Sequence, residues 1–203
     1  MGKRPDRMSS ETSTSLLDRV REQGDEASWR MLVEIYTPLI RGWLKRQAGL
    51  DDDADDIIQD VLAVVVRRIP EFHREPRVGA FRAWMRAITI NCFRDAWKAR
   101  RHVKPAADAR VGELLQQLAD PARGLSRLWD EEHDRHVSQR LLQLIRDEFT
   151  EKTWHAFQRF ALGDESAETV AAALGITVNA VFIAKSRVLA ALRREGAGLL
   201  AED

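Results

Sequence analysis

Three short stretches carry residue types whose spacing could do chemistry. In DDDADDIIQD, residues 51–60, six aspartates fall within ten positions, with no lysine or arginine among them. Such a cluster can hold a metal ion, meet a cationic partner or simply be solvated. In FRAWMRAITINCFRDAWKARR, residues 81–101, Phe81, Trp84, Phe93 and Trp97 interleave with Arg82, Arg86, Arg94, Lys98, Arg100 and Arg101. Aromatic faces stack on unpaired bases at about 1–3 kcal/mol each while the cations track phosphates. The competing reading puts the aromatics in a core, and Trp84 lies on the apolar stripe; for the basic residues as a set, nucleic acid is the better reading. In AETVAAALGITVNAVFIAKSRVLAALRR, residues 167–194, a small residue, a glycine and an aliphatic plug (Ala171, Gly175 and Ile176) stand where a helix–turn–helix needs them. Its second helix could offer Asn179, Phe182, Ile183, Ser186 and Arg187 to a major groove. The bland alternative is a helical hairpin with a solvated basic edge.

Other chemistries find no support. The five histidines, His73, His102, His133, His136 and His155, show no metal-ligand spacing. No phosphate-binding loop, dinucleotide glycine pattern or nucleophile motif occurs, so the chain is not read as an enzyme, and neither a metal nor a cofactor is expected. The one cysteine, Cys92, excludes an internal disulfide and, among apolar neighbours, reads as a buried, inert thiol. No run approaches the roughly 18 apolar residues of a membrane span. The polar start, residues 1–14, lacks a signal-peptide core and reads as a flexible lead-in. A cytoplasmic protein with no membrane partner is expected.

The 203 residues carry no net charge, yet the charge is segregated. Against the acidic run at 51–60, Arg67 to Arg110 holds twelve Lys/Arg and four Asp/Glu, and Ile176 to Arg194 has Lys185, Arg187, Arg193 and Arg194 with no acid. Charges more than a Debye length apart, about 10 Å at 0.1 M salt, hardly see each other. A basic patch therefore keeps its attraction for a polyanion although the sum is zero.

Helices must position these residues. Apolar positions recur at three and four, which predicts an all-α protein of two helical domains joined by a flexible linker. Leu16 to Val20 and Trp29 to Leu44 read as two amphipathic helices, separated at Gly24, with Pro38 kinking or restarting the second and Gly49 closing it. A helix from Asp53 to Ile69, capped by an aspartate at 51–53, ends at Pro70. Residues 70–80 read as a loop and 81–101 as a long helix. Residues 102–133, rich in proline, glycine and alanine, read as the linker, with a short helix at Glu113–Leu118. A helix from Ser126 to Phe149 leads into the second domain, 134–195, where Thr150 and Ser166 cap two further helices. Residues 196–203 form the tail.

In this order the parts resemble the sigma-70 family of bacterial RNA polymerase subunits, in its extracytoplasmic-function (ECF) group. Residues 15–101 are similar to region 2 and 134–195 to region 4. The resemblance rests on Asp53, Ala54, Asp56, Ile57, Ile58, Gln59, Asp60 and Val61, and on Phe81, Trp84, Met85, Ile88, Ile90 and Asn91. It implies transcription initiation: a subunit that binds core RNA polymerase through Asp53, Asp56, Gln59, Asp60 and Val61. It implies capture of the melted promoter −10 element by Phe72, Arg77, Val78, Gly79, Phe81, Trp84, Asn91, Arg94, Lys98 and Arg101. It further implies recognition of the duplex −35 element by Asn179, Phe182, Ile183, Lys185, Ser186 and Arg187. Many members have a Ser-Arg pair where this chain has Ile183 and Ala184. The residues leave open an anti-sigma factor as a further partner. The alternative is a helix–turn–helix transcription regulator that acts on duplex DNA without docking on polymerase.

Overall fold

The computed structural model describes residues 14–22, 25–48, 54–72, 79–100, 108–120 and 124–200. Among them the fold is all-α, with no β-strand. The helices are α1 (Leu16–Arg21), α2 (Glu26–Ala48), α3 (Ala54–Arg68), α4 (Ala80–Arg100), α5 (Asp108–Ala119), α6 (Gly124–Ile145), α7 (Glu151–Phe157), α8 (Ala167–Leu174) and α9 (Val178–Gly196). Short 3-10 turns follow α3 and α6, and a π turn at Gln158–Leu162 extends α7.

Local chemistry explains most boundaries. The hydroxyls of Ser15, Thr150, Ser166 and Thr177 each accept a hydrogen bond from the backbone N–H three residues on, satisfying a free donor of the first turn. Pro70 sits in the 3-10 turn that closes α3. Pro38, however, neither ends nor restarts α2, which continues through it. The proline removes the N–H that would reach Glu34, and Glu34 is exposed, so water can serve its carbonyl.

The first bundle packs α1 to α4 around Leu16, Leu32, Tyr36, Ile40, Trp43, Ile57, Val61, Val65, Phe81, Met85 and Phe93, all buried. Each such side chain contributes about 1.5–3 kcal/mol when fully removed from water. The helix–turn–helix has a small core of its own, in which Val170 and Ala171 of α8 meet Val181 and Ala184 of α9. A third cluster joins Ile145, Trp154, Phe157, Val188 and Ala191.

The join between the halves differs from the expected tether. Within 102–133, residues 108–119 form α5 and 124–133 form the first half of α6; residues 102–107 and 121–123 lie outside the described residues. Ser126, Trp129, His133, Val137, Leu141 and Ile145 make one buried stripe along α6. Trp129 meets Trp43 edge-on at 5.3 Å, in the first bundle. Ile145, four turns on, lies in the cluster shared with α7 and α9. The tail also folds back: Leu199 is fully buried in the first core, and Glu195 pairs with Arg19 of α1 at 2.9 Å.

Candidate nucleic-acid interface and acidic docking face

On α3 the apolar residues Ile57, Ile58, Val61 and Val65 turn inward against the bundle, which forces the intervening acids outward. Asp56, Gln59 and Asp60 are exposed, three and four residues apart, and so share one helix face. Among the described residues no ion pair engages Asp56 or Asp60. Asp55, beside them, pairs with Arg41 of α2, and that guanidinium holds its carboxyl below the usual carboxylate range. Val61 is fully buried and supports this face from beneath. Asp53 lies outside the described residues.

The aromatic residues of the second stretch divide by role. Phe81 is fully buried, Phe72 nearly so and Trp84 partly so. Phe72 meets Phe81 edge-on at 5.3 Å and Trp84 at 5.1 Å, while Phe81 and Trp84 stand 5.3 Å apart. The trio joins Phe72, just after the 3-10 turn, to the first turns of α4. Gly79 follows with φ +74°, a backbone that L side chains resist, and a Cβ there would come within 2.8 Å of the Arg82 guanidinium. Arg77, Val78 and Arg101 lie outside the described residues.

The basic residues of α4 divide as well. Asn91 and Lys98 are exposed and Arg94 half-buried, on one stripe along the helix. The Arg94 guanidinium donates to the Asn91 side-chain oxygen at 3.1 Å, and Lys98 lies 3.9 Å from Asp95. Both contacts join residues three apart on α4 itself. Arg82 and Arg86 instead reach α6. Arg82 pairs with Asp134 and, at 3.3 Å, with Asp130; Arg86 donates to Asp130 at 2.6 Å and to the Ser126 carbonyl at 3.3 Å. Sequence reasoning missed the acids of α6 as partners. Nothing in a helical pattern says that Asp130 and Asp134 face a helix some forty residues earlier.

In the helix–turn–helix, α8 and α9 meet at 102°, within the range such motifs adopt. Gly175 makes the turn with φ +59°, its N–H bonded to Ala171. Val181, Ala184, Val188 and Ala191 face inward, leaving Asn179, Phe182, Ile183, Ser186 and Arg187 exposed. Lys185 is half-buried, its ammonium 5.3 Å above the Phe160 ring. Phe160 also meets Phe182 edge-on at 5.3 Å; no sequence signal had singled Phe160 out. Arg194, counted among the basic residues of α9, pairs with Glu148 at 2.7 Å.

Among the described residues no three His, Cys, Asp or Glu side chains are grouped to hold a metal ion. Among the same residues no single helix is long and apolar enough to cross a membrane.

Comparison with known proteins agrees with this geometry. Residues 32–103, which hold the acidic face and the aromatic–basic helix, match the family model for sigma-70 region 2. The chain is 24% identical to the RNA polymerase sigma-H factor of Pseudomonas aeruginosa over 92% of its own length and 96% of that protein's. It is 25% identical to the ECF RNA polymerase sigma-E factor of Haemophilus influenzae, covering 87% of this chain and 93% of that one. To the ECF RNA polymerase sigma factor SigE of Mycolicibacterium smegmatis it is 27% identical over 47% of its length, and that match spans only 36% of the relative. Residues 32–103 thus match the sigma-70 region 2 family, and over most of its length the chain is similar to bacterial RNA polymerase sigma factors, among them one of the extracytoplasmic-function group.

Proposed function

We infer that the chain is a sigma factor that binds core RNA polymerase in the cytoplasm and directs it to promoters. The observation that carries this reading is the exposed row Asp56, Gln59 and Asp60 on α3, held outward by a buried apolar stripe and free of ion pairs among the described residues. Carboxylates so presented suit a basic face on the polymerase. Asn91, Arg94 and Lys98 of α4, on the neighbouring helix, suit the backbone and bases of a melted −10 strand. The exposed face of α9 suits the major groove of the −35 duplex.

The energetics favour action with polymerase rather than alone. Opening roughly a dozen base pairs at about 1.4 kcal/mol per step requires on the order of 15 kcal/mol. Two or three captured bases return about 2–9 kcal/mol by stacking. The remainder comes from polymerase contacts and supercoiling.

The test is co-purification with core polymerase. The wild-type chain is expected to be retained, and Asp60→Lys to lose most of that binding while its helical circular dichroism and melting temperature stay unchanged. Retention of Asp60→Lys at the wild-type level, or failure of core polymerase to hold the wild type, overturns the reading.

A further inference from the structure

The exposed face of α9 has an unusual centre. Its ends are polar, Asn179 in the first turn and Ser186 with Arg187 two turns later, but between them stand Phe182 and Ile183, 49% and 43% exposed. Both are large apolar side chains on the outside of a helix whose opposite face already has its core. The Phe182 ring packs edge-on against Phe160 at 5.3 Å, and Lys185 in turn covers Phe160. From Ile176 to Arg194 there is no acid, while Lys185 and Arg187 follow the patch within about one turn. An apolar centre beside cations fits a polyanion that itself displays apolar groups. In the major groove one base edge does so: thymine, through its C5 methyl.

We propose that Phe182 and Ile183 select thymine at one or two central positions of the upstream promoter element, by contact with its C5 methyl group. This rests on the reading that α9 enters the major groove of that element. Neither side chain carries a donor or acceptor, so neither can read guanine, cytosine or adenine through hydrogen bonds. Phe182, packed against Phe160, loses little rotamer freedom on contact. Asn179 and Arg187 carry the hydrogen-bonding recognition at the flanking positions.

The experiment uses holoenzyme reconstituted from the full chain and core polymerase. An upstream element is first selected from duplex DNA randomised over that region, and each selected thymine is then replaced by deoxyuridine, which differs only in lacking the methyl. At one or two positions the replacement is expected to weaken binding by about threefold to fivefold, the scale of one buried carbon. In Ile183→Ala and in Phe182→Ala holoenzymes, the penalty at the corresponding position is expected to vanish. Ile183→Ala alters an exposed residue with no bracing role, so it keeps the test valid should Phe182→Ala fail to fold. Full tolerance of deoxyuridine, a selected element without thymine, or an undiminished penalty in both variants overturns the inference while leaving promoter binding intact. So does an equal loss on thymine and uracil DNA, which points to a protein contact at this patch. If no upstream preference emerges from the selection, the placement of α9 on DNA fails, and the inference with it.

Discussion

The hydroxyl of Tyr36 lies 2.9 Å from Nε2 of His133, joining α2 to α6 across 97 residues of sequence at the centre of the molecule. The other ring nitrogen, Nδ1, lies 2.9 Å from the Asp134 carboxylate. The neutral ring satisfies both partners, with Nδ1–H donating to Asp134 and Nε2 accepting from Tyr36. Burial is the main cause that pushes the His133 pKa below its ordinary 6.5, and Arg82 adds to it against the opposing pull of Asp134 and Asp130. Between the depressed native value and 6.5 the unfolded chain binds a proton that the folded chain refuses, so stability rises with pH through that window and is fully present above it. The carboxylates held low in the fold, Asp25, Asp55, Glu165 and Glu168, withdraw their support only at more acid pH, near 4 and below. Urea unfolding of the wild type should therefore shift to lower midpoints between pH 6.5 and 5. His133→Gln should lower the midpoint at neutral pH, by about 1–3 kcal/mol of stability, and flatten that acid slope. A variant with the same slope as the wild type would assign the titration elsewhere.

Arg86 offers a second measurement of the same join. Its side chain is buried, and Asp130 on α6 supplies its carboxylate partner at 2.6 Å. Removing that partner leaves a guanidinium in a poorly hydrated site with, among the described residues, only the Ser126 carbonyl. Asp130→Ala should lower stability by about 1–3 kcal/mol, and the double variant Arg86→Met/Asp130→Ala should be less destabilised than the sum of the two single changes. Additive effects in denaturant titrations would show that the pair contributes no coupling.

The parts of this fold that were legible in the sequence are those set by nearest neighbours. Thr150 and Ser166 announce their helices, Gly175 announces the turn, and the alternation of apolar and acidic residues in α3 announces which face is wet. The exposed set Asn179, Phe182, Ile183, Ser186 and Arg187 was legible for the same reason, whereas the outward row Asp56, Gln59 and Asp60 was singled out by the family resemblance. What the pattern concealed is the course of α6. Two of its inward positions are Ser126 and His133, which any hydropathy reading assigns to water; His133 is satisfied by Tyr36 of α2 and by Asp134, and the Ser126 carbonyl accepts from Arg86 of α4. Arg82 and Arg86 were misleading in the same way, since a cation within an aromatic–basic run looks free until Asp130 and Asp134 are set beside it.

Gly175 should tolerate substitution in proportion to the left-handed backbone that each side chain accepts. No atom lies within 4 Å of a Cβ built there, so the penalty is one of backbone conformation and not of collision. Gly175→Ala should cost about 1–2 kcal/mol, Gly175→Asn less and Gly175→Val more. Thermal unfolding of the three variants checks the order. Equal losses would mean that the turn relaxes out of the left-handed region.

Cys92 lies on α4, half-buried and packed against the first core. Burial, reinforced by the carboxylates of Asp60 and Asp95, pushes its thiol up to about 11. At pH 8 a free cysteine near 8.5 is roughly one-quarter thiolate, whereas this one is on the order of one part in a thousand. The greater intrinsic nucleophilicity of a high-pKa thiolate recovers about tenfold of that deficit. Alkylation of the folded protein at pH 8 should therefore run at least about tenfold slower than that of a free thiol, and should accelerate steadily up to pH 11. Asp60→Asn removes one of the two opposing carboxylates and should speed labelling at fixed pH without altering the fold. Because Asp60 also belongs to the proposed docking face, bound polymerase should suppress labelling further, and Cys92 thereby reports occupancy of that face in the wild-type chain. Labelling at the rate of a free thiol, or a rate indifferent to Asp60→Asn, would detach Cys92 from the carboxylates that the fold sets around it.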